Sequence, residues 1–132
     1  MARQKYFTNE EKGLSGSIRA RSTEDIEAVS IVYVSRCNGS QLFVSLADSQ
    51  YDKRSSGLLF VNDRKRAAGQ TSEFYTYIIV PYVADGEAGD TLYLTKNGKW
   101  GTRKTKTAKP IGKILPGLNG QLSALIAPQG RY

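Results

Sequence analysis

The stretch that decides the fold is VSIVYVSRCNGSQLFVSLA, residues 29–47. Its first seven residues form a β-branched and aromatic run. After RCNGS, the run QLFVSLA sets Leu42, Val44 and Leu46 on one face and Gln41, Phe43 and Ser45 on the other. A period of two is the signature of a half-buried strand. Asn38-Gly39 between the runs tolerates the positive φ angles of a tight turn, so the two are expected to pair as a hairpin.

The same grammar continues outward. GLLFVN (57–62) is a third run, stopped by DRKRAAGQ, and FYTYIIVPY (74–82) is a fourth, ended by Pro81, which lacks an amide donor and suits a strand end or an edge. Thr91 to Thr95 alternate strictly, Lys96-Asn97-Gly98-Lys99 is a short hairpin signal, and Trp100 opens the return strand. IGKIL (111–115) and LSALIA (122–127) form a last pair with Asn119-Gly120 at the turn. No helical period lasts 12 residues after residue 28. STEDIEA (22–28) offers a cap and early acids, which predicts one helical turn. The expected fold is all-β, a small barrel or sandwich of seven to eight short strands. Residues 1–21 are polar, basic and aperiodic, and read as an extended N-terminal arm lying on something else or as a mobile terminus. Residues 22–132 are expected to be a single β-rich domain.

Composition excludes several functions. With no histidine and one cysteine, the 132-residue chain lacks His-based triads, His metal sites and an internal disulfide. Cys37 has only Arg36 beside it to favour a thiolate and is expected to be inert. The carboxylate pairs Asp85/Asp90 and Glu24/Asp25 sit in turn and cap contexts where acids are ordinary, and DGEAGD (85–90) precedes a strand where a phosphate fingerprint needs a helix. No enzyme, cofactor or metal is expected. No apolar run approaches the ~18 residues of a membrane helix, and the first residues lack the apolar core of a signal peptide, so synthesis in a cytoplasm is expected.

The net charge is +7, but residues 96–109 hold six of the nineteen Lys and Arg and none of the twelve acids, leaving the remainder at +1. Such a run serves as a nucleic-acid grip beside the stacking Trp100, a membrane foot, a contact for an acidic protein surface, or a plain solvated loop. Little apolar face is present to insert into a membrane. No RNA-binding signature accompanies the run.

The order of motifs carries one resemblance. SGLLFVNDRKRAAGQ, a strand ending in IVPY, AGDTLYLTKNGKW, a Thr/Lys-rich spacer ending in Pro, IGKIL and a last apolar strand resemble the pattern of tailed-bacteriophage capsid decoration (head-stabilising) and related virion proteins. The match covers about residues 57–127. Gly89, Asp90, Tyr93, Leu94, Ile111 and Gly112 fit its motif as fold determinants. The resemblance implies a non-catalytic virion protein on the outside of a phage head, bound to the major capsid protein, often as a trimer, with its arm joining neighbours. Head-fibre and tail components share the pattern, and a β-barrel binding single-stranded nucleic acid is the alternative. On the capsid reading, Arg3, Lys5, Tyr6 and Phe7 are the arm contacts, and Lys99, Trp100, Arg103, Lys104 and Lys106 the loop contacts.

Overall fold

The computed structural model describes residues 16–130. Among these residues, ten strands form two layers. The first is a closed five-stranded barrel made of β1 (Ser17–Ser22), β2 (Ile31–Asn38), β3 (Gln41–Leu46), β4 (Leu59–Val61) and β5 (Thr71–Tyr75), in the order β1-β3-β2-β4-β5. The second is a sheet of β6 (Ile78–Tyr82), β7 (Thr91–Leu94), β8 (Trp100–Gly101), β9 (Lys109–Pro116) and β10 (Leu122–Ile126), ordered β6-β10-β9-β7-β8. The all-β expectation holds, with more strands than the seven or eight expected.

The 29–47 hairpin forms the centre of the barrel: Val32 pairs with Leu46 and Asn38 with Gln41, with a bulge between Val34 and Arg36. The turn lies one residue later than the Asn-Gly dipeptide suggests. Asn38 is still in the ladder, and the loop is Gly39-Ser40 with Gly39 at φ 64°, which puts the positive φ at the first central position.

Alternation along each strand builds two cores. Ala20, Ile26, Val32, Val44, Phe60 and Phe74 fill the barrel. Their neighbours Ile31, Leu59 and Val61 point the other way and pack with Leu92, Leu94, Ile111, Ile114, Ala124 and Ile126 of the sheet. β4 is therefore buried on both faces, the wall common to both cores. This explains why GLLFVN is an unbroken apolar run and not an alternating one. Each of these large side chains contributes roughly 1.5–3 kcal/mol when fully buried.

Three expectations are corrected. The run 74–82 is not one strand: it breaks at Thr76 and Tyr77, where the Thr76 N–H donates to the Gly16 carbonyl at 2.6 Å, so β5 closes the barrel and β6 opens the sheet. Pro81 lies inside β6, on the sheet edge, where its missing donor costs nothing. STEDIEA forms no helical turn. Ile26 instead makes a bridge with Arg66 and fills the barrel core, while Glu24 Oε2 accepts the Leu46 N–H and Asp25 Oδ1 the Ala68 N–H. The acids of the expected first turn thus satisfy barrel amides. Of the expected arm, residues 1–15 lie outside the described residues, and Ser17–Ser22 is a barrel strand pairing with β5 and, in parallel, with β3.

The two layers are joined by more than apolar contact. Ile31 N–H donates to the Gly98 carbonyl at 2.9 Å, and Gly98 N–H to the Ala47 carbonyl at 2.6 Å. The tip of the β7–β8 hairpin is therefore docked into the barrel wall. Gly98 has φ 77°, and a Cβ there would lie 2.7 Å from Leu46 Cδ2 and 2.9 Å from the Ile31 carbonyl; only glycine meets both demands. A buried polar latch reinforces the join between the barrel strands: Asn62 Oδ1 accepts the Ser30 N–H at 2.7 Å, and Nδ2 donates to the carbonyls of Glu27 and Arg64.

Candidate functional site: a basic surface at the junction of barrel and sheet

The docked tip fixes where the basic run emerges. Thr95 N–H bonds the Lys99 carbonyl at 2.8 Å, closing the turn, and Asn97 takes φ 52°. The alternating run before it and the tryptophan after it supply the two arms of the hairpin. Lys96 and Lys99 stand exposed on either side of the buried Gly98. Beyond β8, Arg103, Lys104 and Lys106 lie exposed in the connection to β9.

These five cations have no hydrogen-bond or ion-pair partner among the described residues. Several of the barrel's cations contrast with them. Arg64 and Arg66 reach Asp63 at 3.3 Å and Lys65 reaches Glu27 at 3.9 Å. Arg21 donates to the Gly69 carbonyl, and the Arg36 guanidinium lies 4.3 Å from the Phe43 ring centre. The sixth cation of the run, Lys109, is also internal, its Nζ donating to the Ser55 carbonyl at 3.2 Å.

Trp100 is set apart from the loop cations. Its Nε1–H donates to the Val29 carbonyl at 2.7 Å, its ring stacks on Tyr82 with centroids 6.2 Å apart and planes 29° apart, and it packs on the core between the layers. Val29 itself has φ 58°, a costly conformation for a β-branched residue, and the indole bond holds its carbonyl in place. The Tyr82 hydroxyl donates to the Asp85 carbonyl at 2.6 Å. Burial, then the Asp85 and Asp90 charges, push its phenol above the usual value near 10, with the Thr102 hydrogen bond acting the other way.

Of the residues singled out in the sequence, Lys99, Arg103, Lys104 and Lys106 fall on one exposed stretch, with Trp100 turned inward beneath it. Arg3, Lys5, Tyr6 and Phe7 lie outside the described residues. Asp90 accepts the Glu87 N–H within its own turn, while Gly89 N–H and Ile114 N–H exchange bonds with the Ile114 and Asp90 carbonyls, respectively. That is the bonding of a fold determinant. Cys37 is exposed, its thiol facing the Gly39 carbonyl at 3.2 Å. Sequence reasoning missed Lys96 as a site residue and missed the barrel's own contribution to this surface, the loop that follows β3. Nothing in that loop's composition signals it, because the approach depends on how the layers dock.

Among the described residues no cluster of His, Cys, Asp and Glu is arranged to hold a metal ion, and no helix is long and apolar enough to cross a membrane.

No family model matches the sequence, and no curated protein matches it. A solved structure does: the head fiber gp8.5 N base in bacteriophage phi29 has a similar fold, with a TM-score of 0.54 at 18% identity, over 84% of this chain and 92% of that one. At that identity the likeness establishes a common fold.

Proposed function

We propose that this chain is a non-enzymatic structural protein of a phage virion, seated on the outer surface of the head against the major capsid protein. The observation that carries the reading is the fold shared with a head-fibre base over 84% of the chain, which agrees with the virion-protein motifs along residues 57–127. Of the forms that a head-surface protein takes, the solved neighbour favours a base that attaches to the shell. A stabilising effect on the shell follows by linkage: a protein that binds only the assembled capsid lowers its free energy by mass action. Repeated copies raise the avidity of a small contact. The exposed apolar side chains Tyr77, Ile79 and Val83, on or beside the edge strand β6, offer area for contacts between copies in a homo-oligomer.

The five unpartnered cations are the natural docking element, since Lys and Arg steer association and fix register on an acidic surface. The nucleic-acid alternative has less support. A single-strand binder stacks bases on exposed aromatics beside its cations, and the indole of Trp100 is committed to Val29 and Tyr82.

The test is co-sedimentation of the purified protein with undecorated capsids of the phage that encodes it, and separately with single-stranded DNA, at low and moderate salt. Capsid binding that survives moderate salt, with none to DNA, is the expected result. Capture by DNA that falls steeply with salt, as phosphate contacts require, with no capsid binding, would overturn the proposal.

A further inference from the structure

Beside the basic run, an open recess of about 460 Å³ lies between barrel and sheet. It is lined by Ser49 and Gln50 from the loop after β3, by Thr95 and Lys96 of the β7–β8 turn, and by Thr105, Lys106 and Thr107 before β9. The volume lies within the roughly 300–1,000 Å³ of small-ligand sites.

Its walls are held by the backbone. Ser49 N–H donates to the Thr95 carbonyl at 2.8 Å, tying the barrel loop to the sheet, and Ala108 N–H bonds the Thr105 carbonyl at 3.2 Å. The buried Asp48 ties the two loops together, its Oδ1 accepting the Gln50 N–H at 3.0 Å and its Oδ2 the Asn97 N–H at 3.4 Å. Among the described residues no carboxylate lines the recess itself.

Its polar groups are available for a ligand. Ser49 is only 6% exposed, yet its hydroxyl has no hydrogen-bond partner among the described residues. The side-chain amide of Gln50 and the hydroxyls of Thr105 and Thr107 are equally unpartnered there, as are the ammonium groups of Lys96 and Lys106. The hydroxyl is not sealed from solvent, so a ligand oxygen can take the place of water there. Hydroxyl and amide donors flanked by two cations match a carboxylate, which accepts through both oxygens.

We infer that this recess receives a carboxylate side chain from an extended acidic segment of the protein on which the chain docks, an assignment that rests on the capsid-surface reading above. A nucleic acid fits less well. Among the described residues no aromatic ring lines the recess, and the exposed Tyr51, next to Gln50 in sequence, already carries the Arg54 guanidinium 5.3 Å from its ring centre.

The test uses the full chain, the double variant Lys96→Ala/Lys106→Ala, and Ser49→Ala. The probes are an oligoglutamate peptide, an oligothymidylate of equal length and inorganic phosphate. The peptide is expected to shift the amide resonances of Ser49, Gln50 and Thr105. Its affinity should fall roughly ten-fold in the double variant and by a smaller factor in Ser49→Ala, with melting unchanged in the double variant because both lysines are exposed and unpaired. Equal affinity in parent and double variant, resonance shifts confined to another surface, or tighter binding of oligothymidylate than of oligoglutamate would each overturn the inference. So would saturation by phosphate at concentrations no higher than the peptide's carboxylates require. Capsid co-sedimentation separates the two readings. If parent and double variant both bind capsids equally well, the recess is not the docking site and the capsid reading stands. If the parent binds oligoglutamate in the recess and no capsid, the capsid reading falls and so does the assignment to a docking partner.

Discussion

The barrel and the sheet are built from the same kind of strand, yet they spend their charges in opposite ways. In the barrel, Arg64, Lys65 and Arg66 face Asp63 and Glu27, and Glu24 and Asp25 accept backbone amides. In the β7–β8 turn and in the connection that leaves the sheet edge, the side chains of Lys99, Arg103, Lys104 and Lys106 meet no partner among the described residues. Exposed ion pairs add little to stability, typically about 0–1 kcal/mol, so the pairing in the barrel does not explain its fold. By sequence, residues 16–76 are close to charge balance, whereas residues 96–109 carry six cations and no acid. The contrast teaches that a charge excess is informative when it is both local in sequence and unpartnered in space.

The largest expected effect breaks the barrel. Phe74→Ala empties the centre of a core with no exposure at that residue and should cost about 3–5 kcal/mol, read from denaturant unfolding. A loss below about 1 kcal/mol would mean that the barrel interior is not a packed core.

Gly98→Ala sharpens the comparison at the joint between the halves. A positive φ and the crowding against Leu46 and Ile31 predict a loss of about 1–3 kcal/mol, together with faster hydrogen exchange of the Ile31 amide. A neutral result would show that the hairpin tip is not docked.

Trp100→Phe keeps a ring over Tyr82 and deletes the bond to the Val29 carbonyl. The expected cost is about 1 kcal/mol, measured by melting, with capsid binding kept. Loss of binding at unchanged stability would make the indole a contact and not a brace.

The smallest effect on stability, and the largest on docking, is expected from removing charge in the loop. Arg103→Ala/Lys104→Ala should change unfolding by no more than about 0.5 kcal/mol, because neither side chain has a partner among the described residues, and should slow association with the capsid. A variant that unfolds much more easily would show these cations to be structural.

Much of the fold was legible. The hairpins at 29–47, 91–100 and 111–127 could be read from alternation and Asn-Gly pairs, because both signals are local. Three features were not. The break at Thr76 depends on a bond to Gly16, some sixty residues away in sequence. The fate of STEDIEA was set by Ile26 finding the barrel core and by acids finding distant amides, tertiary gains that outweigh a weak helical preference. The split of the two cores followed once β4 was seen to be buried on both faces, which an apolar run permits but does not require. The candidate site was half legible for the same reason. The cations of residues 96–109 stand out by composition, whereas Ser49 and Gln50 reach the same recess only through the docking of barrel on sheet, and the inward turn of Trp100 depends on Val29 and Tyr82.

The most direct test of the account is an electron cryomicroscopy map of capsids decorated with this protein, read for which half of the molecule meets the shell. The expected result is a map in which the 96–106 loop and the adjoining recess face the major capsid protein, with acidic capsid side chains opposite Lys96 and Lys106. A map with the closed barrel against the shell and that loop in solvent would contradict it.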